Sequence, residues 1–223
     1  MTTSLDFRIV DATPKHAPFI AWVMLTAARS HLEVGFYDLF SGTPEPETLR
    51  FLEEVNTTGA PPNGGAHWGH HSIFIVAEVD GQPAAALSGY VQREYNETTV
   101  GPAFVAALKA LGRPDADLAD GLARAGSFLN VAPEHDENTW VVEHVATSPE
   151  FRRRGLTDRL LTEILDRGRA RGCTTADIGV LLENDRAQAA YEKAGFRVVE
   201  EKRDAAFEAA YKCPGIRLLR RAI

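Results

Sequence analysis

The stretch SPEFRRRGLTDRLL (148–161) sets Arg152, Arg153 and Arg154 directly before Gly155 and then opens a leucine pattern of helical period. A helix amino terminus already carries about half a positive charge, so three cations there are unfavourable unless an anion sits between them. Either the arginines splay into solvent or something negative binds. The unpaired N–H groups of a helix start, with a glycine that lets a bulky anion approach the main chain, make a phosphate site. Arginines add charge-assisted bonds to phosphate oxygens. The P-loop pattern, with glycine at both ends of its loop and Lys-Ser/Thr after it, is absent, and so is the dinucleotide fingerprint of three spaced glycines. A nucleoside triphosphatase and a dehydrogenase are thereby disfavoured.

Working outward, TWVVEHVAT (139–147) is β-branched and reads as a strand stopped by Ser148-Pro149, and residues 155–171 form a helix with Leu156, Leu160, Leu161, Ile164 and Leu165 on one face. TTADIGVLL (174–182) is the next strand. NDRAQAAYEKAGF (184–196) is a helix capped by Asn184 and stopped by Gly195, and FRVVEEKRD (196–204) and GIRLLRRAI (215–223) are closing strands. On the amino-terminal side, FRIVDAT (7–13) alternates as a strand, 17–32 and 46–55 read as helices, and 56–71 is dense in turn residues. HSIFIVAEV and AAALSGYVQ flank Asp80 to Pro83 as a hairpin. Residues 93–138 form a long insert, with a helix from about Pro102 to Leu111 followed by a polar, acidic connection through 114–126. The fold class is α/β in the α+β sense, with a parallel strand pair at the centre.

Length suits a single domain over 1–223, taking roughly 100 to 200 residues per domain. Acids exceed bases by 31 to 24, a net charge of -7, which disfavours broad nucleic-acid binding. Yet residues 152–171 hold seven arginines against Asp158, Glu163 and Asp166, an island suited to a small anion. There is no apolar run of membrane-spanning length and no leader pattern, so the expected place is the cytoplasm, away from the membrane. Cys173 and Cys213 are too few for a disulfide framework and read as reduced thiols. His67, His70 and His71 cluster near Trp68, but in a Gly-rich loop without a further ligand; no metal is expected.

VATSPEFRRRGLT (145–157) followed by NDRAQAAYEKAGF (184–196) resembles the two cofactor motifs of the GNAT N-acetyltransferase superfamily, in the family's order. The likeness extends more loosely over 72–92 and 196–223, where Cys213-Pro-Gly-Ile is similar to a loop some members place over the active site. The resemblance implies a mixed, mostly antiparallel sheet with its parallel pair at the cofactor site. It implies acetyl-CoA along Val145, Ala146 and Thr147, with the pyrophosphate on the N–H groups of Arg153, Arg154, Gly155, Leu156, Thr157 and Asp158. Arg152 and Arg154 are the expected side-chain contacts. Thr157 departs from the family's Gly or Ala; its side chain either crowds the phosphate or donates to it, and the second is favoured because crowding would defeat an otherwise intact motif.

For direct acetyl transfer to an amine, the resemblance assigns Tyr191 as the acid that protonates the CoA sulfur, and Asn184 as a cofactor contact as well as a cap. The bland alternative for Tyr191 is an aromatic packed beside Ala187, Ala190 and Ala194. Glu143 is the first choice of base, acting through a water; His144 points the other way in a regular strand unless a bulge reverses it. Residues 31–54 carry Glu33, Asp38, Glu45, Glu47, Glu53 and Glu54 against Arg50 alone. In the family this region lines the acceptor cleft, so His31, Glu33 and Tyr37 are candidate contacts to a cationic amine, against the alternative of a solvated helical face. The insert is a natural place for a homodimer contact. The rival to an enzyme is a non-catalytic acyl-CoA-binding or regulatory domain.

Overall fold

The structure is a computed structural model that describes residues 6–59, 66–95, 97–114 and 116–223. Its frame is a seven-stranded sheet of β1 (Phe7–Asp11), β2 (Phe74–Val79), β3 (Gln82–Val91), β4 (Trp140–Thr147), β5 (Thr175–Leu181), β6 (Arg197–Arg203) and β7 (Gly215–Ala222), in the order β1-β2-β3-β4-β5-β7-β6. All neighbours are antiparallel except β4 and β5, which are parallel. The hairpin of β2 and β3 turns on Asp80-Gly81 alone, both at positive φ (51° and 78°), the two-residue geometry that matches strand twist.

One face of the sheet is covered by α1 (Ala17–Arg29), α2 (Phe36–Ser41), α3 (Glu45–Thr57), α4 (Glu97–Ala110) and α5 (Ala116–Ala125), around a core that includes Phe40, Phe51, Phe74 and Phe104. The other is covered by α6 (Leu156–Ala170), whose buried stripe is Leu156, Leu160, Leu161, Ile164 and Leu165, the face expected from its period. Two glycines allow that helix to dock. A Cβ on Gly89 of β3 would stand 2.6 Å from Ile164, and one on Gly168 would stand 2.7 Å from the Trp140 ring. α7 (Asp185–Lys193) and α8 (Ala205–Tyr211) complete the fold.

The expected strands and the helices at 17, 46, 155 and 184 are present within a few residues. The first helix ends at Arg29, and α4 starts at Glu97 and takes Pro102 inside it. α5 replaces the polar connection expected over 114–126: its Gly121 packs on α2, where a Cβ would meet the Phe40 carbonyl at 2.7 Å. α2 and α8 are too short for periodicity to register. α8 is capped by Asp204, whose Oδ1 accepts from Phe207 N at 2.8 Å, and it is held by Phe207 and Tyr211 stacked 4.4 Å apart. Of the turn-rich segment 56–71, residues 60–65 lie outside the described residues. No described helix is long and apolar enough to cross a membrane.

Candidate functional site

β4 and β5 pair only from Trp140 beside Ala176 to Val142 beside Ile178. Beyond that, β4 runs on to Thr147 and β5 to Leu181 without pairing, so the sheet opens between them and one edge of β4 loses its ladder partner. An extended ligand chain can pair there as an added strand. The chain then makes a short 3-10 turn at Pro149–Phe151 and passes through Arg153 (φ 65°) and Gly155 (φ 77°) into the amino terminus of α6. Left-handed residues here turn main-chain N–H groups into a concavity, and the helix dipole adds to the field.

At this point lies a cleft of about 460 Å³, whose walls include Thr147, Arg152, Arg153, Gly155, Leu156, Thr157 and Asp158 from the expected set. Across from them stand Arg186, Ala190 and Lys193 of α7. Arg152 donates from Nε to the Thr147 carbonyl at 3.2 Å. Arg154 turns away: it is not on the cleft wall, and its guanidinium lies over the Phe151 ring, 5.5 Å from the centroid. The side chains that accompany Arg152 are therefore Arg153, Arg186 and Lys193, with Lys193 2.5 Å from Asp158. Arg186 and Lys193 were not expected, although their spacing of two turns on one helix is a readable signal. The Thr157 hydroxyl lies 3.1 Å from that of Thr147. One hydroxyl donates to the other, and the second hydrogen of the pair is left for a ligand oxygen.

Asn184 caps α7 through Oδ1, which accepts from Ala187 N at 3.1 Å, and its Nδ2 donates to Ser30 Oγ. Ser30 itself holds φ 58° and ψ -110°, so the loop between α1 and α2 is tied in a strained conformation against the start of α7. The Tyr191 side chain packs with Phe196 and Ala187 in the core beneath α6. Its residue is 8 % exposed, burial holds the phenol well above its usual pKa, and no hydrogen bond joins its hydroxyl to another described residue.

The opposite face of β4 carries the second group of residues. Against β3, Ser88 pairs with Glu143 and Ala86 with Ala146, so His144 and Val145 oppose Leu87 alone, and His144 takes φ 53°. This is the bulge that reverses strand parity. Glu143 and His144 both face the α1–α3 side, while Val145 packs toward α6, so Glu143 and Val145 do not share the face that a regular strand would give them. His144 donates or accepts at both nitrogens, with Tyr37 Oη and Ser88 Oγ each at 3.1 Å, and stacks on Trp68 and Phe74. Burial lowers its pKa to about 3, so it is neutral. Burial likewise raises the Glu143 carboxyl above the usual range, against smaller opposing effects from His135 and a hydrogen bond from the Tyr90 hydroxyl.

The expected acceptor contacts are not brought together. Tyr37 is buried at 2 % exposure on His144, whereas His31 and Glu33 are exposed in the loop that Ser30 anchors. The acidity of 31–54 is also partly neutralised, because Arg29, just outside that window, binds Asp38 and Glu45 at 2.7 and 2.6 Å. The His67 ring serves the chain itself, with Nε2 3.2 and 3.1 Å from the Val55 and Thr58 carbonyls. His71 bonds to the Asn56 carbonyl, and among the described residues no group of three or more metal-type side chains converges.

A strand that leaves its parallel neighbour, a left-handed turn and an anion-ready helix start are what an acyl-CoA acyltransferase fold offers. The family model for the acetyltransferase (GNAT) family matches residues 36–196, and the chain belongs to that family of N-acetyltransferases. Similar solved structures include an acetyltransferase at 17 % identity and TM-score 0.68, covering 97 % of this chain and 99 % of that one. An N-acetyltransferase from Staphylococcus aureus Mu50 also has 17 % identity and TM-score 0.68, over 96 % and 100 % of the two chains. The ribosomal-protein-S18-alanine N-acetyltransferase of Escherichia coli has 14 % identity and TM-score 0.53, over 98 % and 94 %. At these identities the likeness is one of fold. No curated protein matches the sequence.

Proposed function

We propose that the protein transfers acetyl from acetyl-CoA directly to a primary amine of a small molecule or peptide. The observation that carries this reading is the single strand β4. At its carboxyl end stands a cationic cleft at a helix amino terminus, and behind its bulge lies Glu143, a half-buried carboxyl of raised pKa on the other face. The fit to a CoA pyrophosphate rests on Gly155, whose positive φ excludes most side chains, and on the cations of α7 opposite it. The free edge of β4 from Glu143 to Thr147 suits an extended pantetheine arm.

In this reading Glu143 takes a proton from the acceptor ammonium, directly or through one water. The neutral amine attacks the thioester carbonyl, and the thiolate leaves with the proton of Tyr191. A raised carboxyl pKa improves the match between base and ammonium, and a phenol held protonated by its surroundings is suited to act as acid. His31 and Glu33, on the exposed loop tied to Asn184, are the proposed outer contacts to a cationic acceptor; Tyr37 acts from beneath, through His144. A cytoplasmic place is part of the proposal.

The test is thiol release from acetyl-CoA with a panel of polyamines, arylalkylamines, amino acids and peptides with free amino termini. Acetylation of one class supports the proposal. Tight CoA binding with no transfer to any of them would leave a non-catalytic acyl-CoA-binding domain.

A further inference from the structure

Three glycines lie in the described strands, and at two of them a side chain would not fit. A Cβ on Gly89 would stand 2.6 Å from Ile164, and one on Gly215 would overlap the Lys202 carbonyl. Gly179 of β5 differs. Its φ is not positive, and among the described residues a Cβ there would meet only Pro133 at 3.6 Å and Ile216 at 3.8 Å, ordinary van der Waals distances. An alanine would therefore fit, and a glycine inside a strand weakens it. Gly179 is also exposed, although Ile178 and Val180 on either side of it are 1 % and 6 % exposed. A bare main-chain position in the middle of a sheet suits the close approach of a group from outside.

Its place is the opening in the sheet. The last parallel pair of β4 and β5 is Val142 beside Ile178, both turned to the α6 face. One residue further along each strand the side chains turn to the opposite face, so Glu143 and Gly179 flank the opening and look the same way. The bulge of β4 lies past this point, at His144 and Val145, and leaves that parity intact. The contacts in the Cβ direction agree. Pro133 belongs to the segment that crosses β5 on the side away from α6, where His135 sits on Asp177, and Ile216 belongs to the cluster of Phe207 and Tyr211. The cations in register on this face are already bound: Arg220 of β7 to Asp177 at 2.7 and 2.8 Å and to Asp136 at 3.1 Å, and Lys202 of β6 to Glu134 at 3.0 Å. What Gly179 leaves is a notch the size of a methyl group, walled by a proline ring and an isoleucine methyl. An apolar branch matches this surface better than a carboxylate does.

We propose that Gly179 sets acceptor specificity: its notch receives an apolar branch on the carbon that bears the amine. The protein then prefers α-branched primary amines, such as amino-acid amides or a peptide amino terminus other than glycine, to unbranched ones. The inference rests on the reading of the protein as an amine acetyltransferase with Glu143 as base. Where β4 and β5 last pair, neighbouring strands stand about 4.8 Å apart, so an amine held at Glu143 has its carbon within reach of Gly179. A branch on that carbon rests on Pro133 and Ile216 in place of the side chain that β5 lacks, and an alanine at 179 fills the same volume. Gly179 moves no proton; it is a specificity residue.

G179A is compared with wild type on two pairs of amines that differ by a methyl group, isopropylamine against ethylamine and alaninamide against glycinamide, after melting curves confirm that the variant is folded. Wild type is expected to favour the branched member of each pair. G179A is expected to cut that preference in kcat/KM about tenfold, the low end of what a methyl group in an apolar site is worth, with the Kd for CoA unchanged. The same preference in both proteins overturns the proposal. So does a loss confined to CoA affinity, which would make Gly179 a contact of the pantetheine arm instead. If wild type acetylates none of these amines, the reading of function fails by itself, and the notch is judged by NMR of the CoA-loaded protein. There the backbone amide signal of Gly179 is expected to shift more on addition of isopropylamine than of ethylamine, and a signal that neither amine moves overturns the proposal. The same NMR readout decides the matter if G179A does not fold.

Discussion

The hydroxyls of Thr147 and Thr157 lie 3.1 Å apart and join the last residue of β4 to the first turn of α6 at the wall of the cationic cleft. Threonine at 157 therefore has a local partner, and its side chain is drawn toward the strand end. A lost hydrogen bond of about 1 kcal/mol corresponds to roughly fivefold in affinity. Thr157→Ala is expected to weaken acetyl-CoA binding by about that factor, and Thr157→Val, which keeps the bulk and loses the hydroxyl, by at least as much. Calorimetric titration with CoA checks this; tighter binding by Thr157→Ala would mean that crowding dominates.

Arg154 is spent on the Phe151 ring, while Arg186 and Lys193 face the cleft from α7. Arg186→Ala is expected to raise the Kd for CoA about tenfold and to flatten its salt dependence, as loss of a charge-assisted phosphate contact would. Arg154→Ala should change it less than twofold by the same reasoning. Titrations at two salt concentrations separate the cases.

Tyr191→Phe should lower kcat about 100-fold, within the usual range for a lost general acid, with little change in KM for acetyl-CoA. The hydroxyl has no bond to another described residue, so the melting temperature should barely move. Because burial raises this phenol's pKa, deprotonation of Tyr191 should impose no alkaline limb below about pH 10, the ordinary phenol value.

Burial raises the Glu143 carboxyl above its ordinary value, so the folded state binds a proton more tightly there than the unfolded chain does. The associated stability is fully present below the unfolded pKa and is lost as pH rises through the folded one. Glu143→Gln should therefore melt higher than wild type at neutral pH while losing activity, and the difference should vanish in acid. Melting curves at three pH values test the sign.

Glu78 shows the reverse case. Its side chain is 1 % exposed and is held by His16 at 3.0 Å, Arg8 at 2.7 Å and Lys15 at 3.3 Å; the bond from His16 leads in lowering its pKa to about 2. Its stabilisation is present above the unfolded carboxyl value and is lost as pH falls toward 2. Glu78→Ala leaves the buried His16 Nε2 without its partner, and should cost about 2 kcal/mol in urea unfolding at pH 7.

Much of this architecture is legible in one dimension because its signals are local. Gly155 after three arginines, the leucine stripe of α6, Asn184 as the cap of α7 and the Asp80-Gly81 turn each depend on neighbours within a few residues. α5 and α8 escaped because their apolar contacts are made with distant elements, Gly121 on Phe40 and Tyr211 on the Ala125 carbonyl, and their own patterns are short. The acidic run of 31–54 carries less free charge than its own window shows, because Arg29, which pairs with Asp38 and Glu45, lies outside it.

By itself the sequence determined the strand, turn and helix around Gly155, since main-chain conformation there follows from residue type: glycine for a positive φ, arginines for an anion, leucines at a helical period. Tertiary structure alone decided which side chains face each other. Two strands had to meet before the bulge at His144 could set Glu143 and His144 on one face, and the segment 131–139 had to cross β5 before His135 could reach Asp177, 42 positions away along the chain. Those relations depend on register and on long-range closure of the chain, which no local pattern encodes.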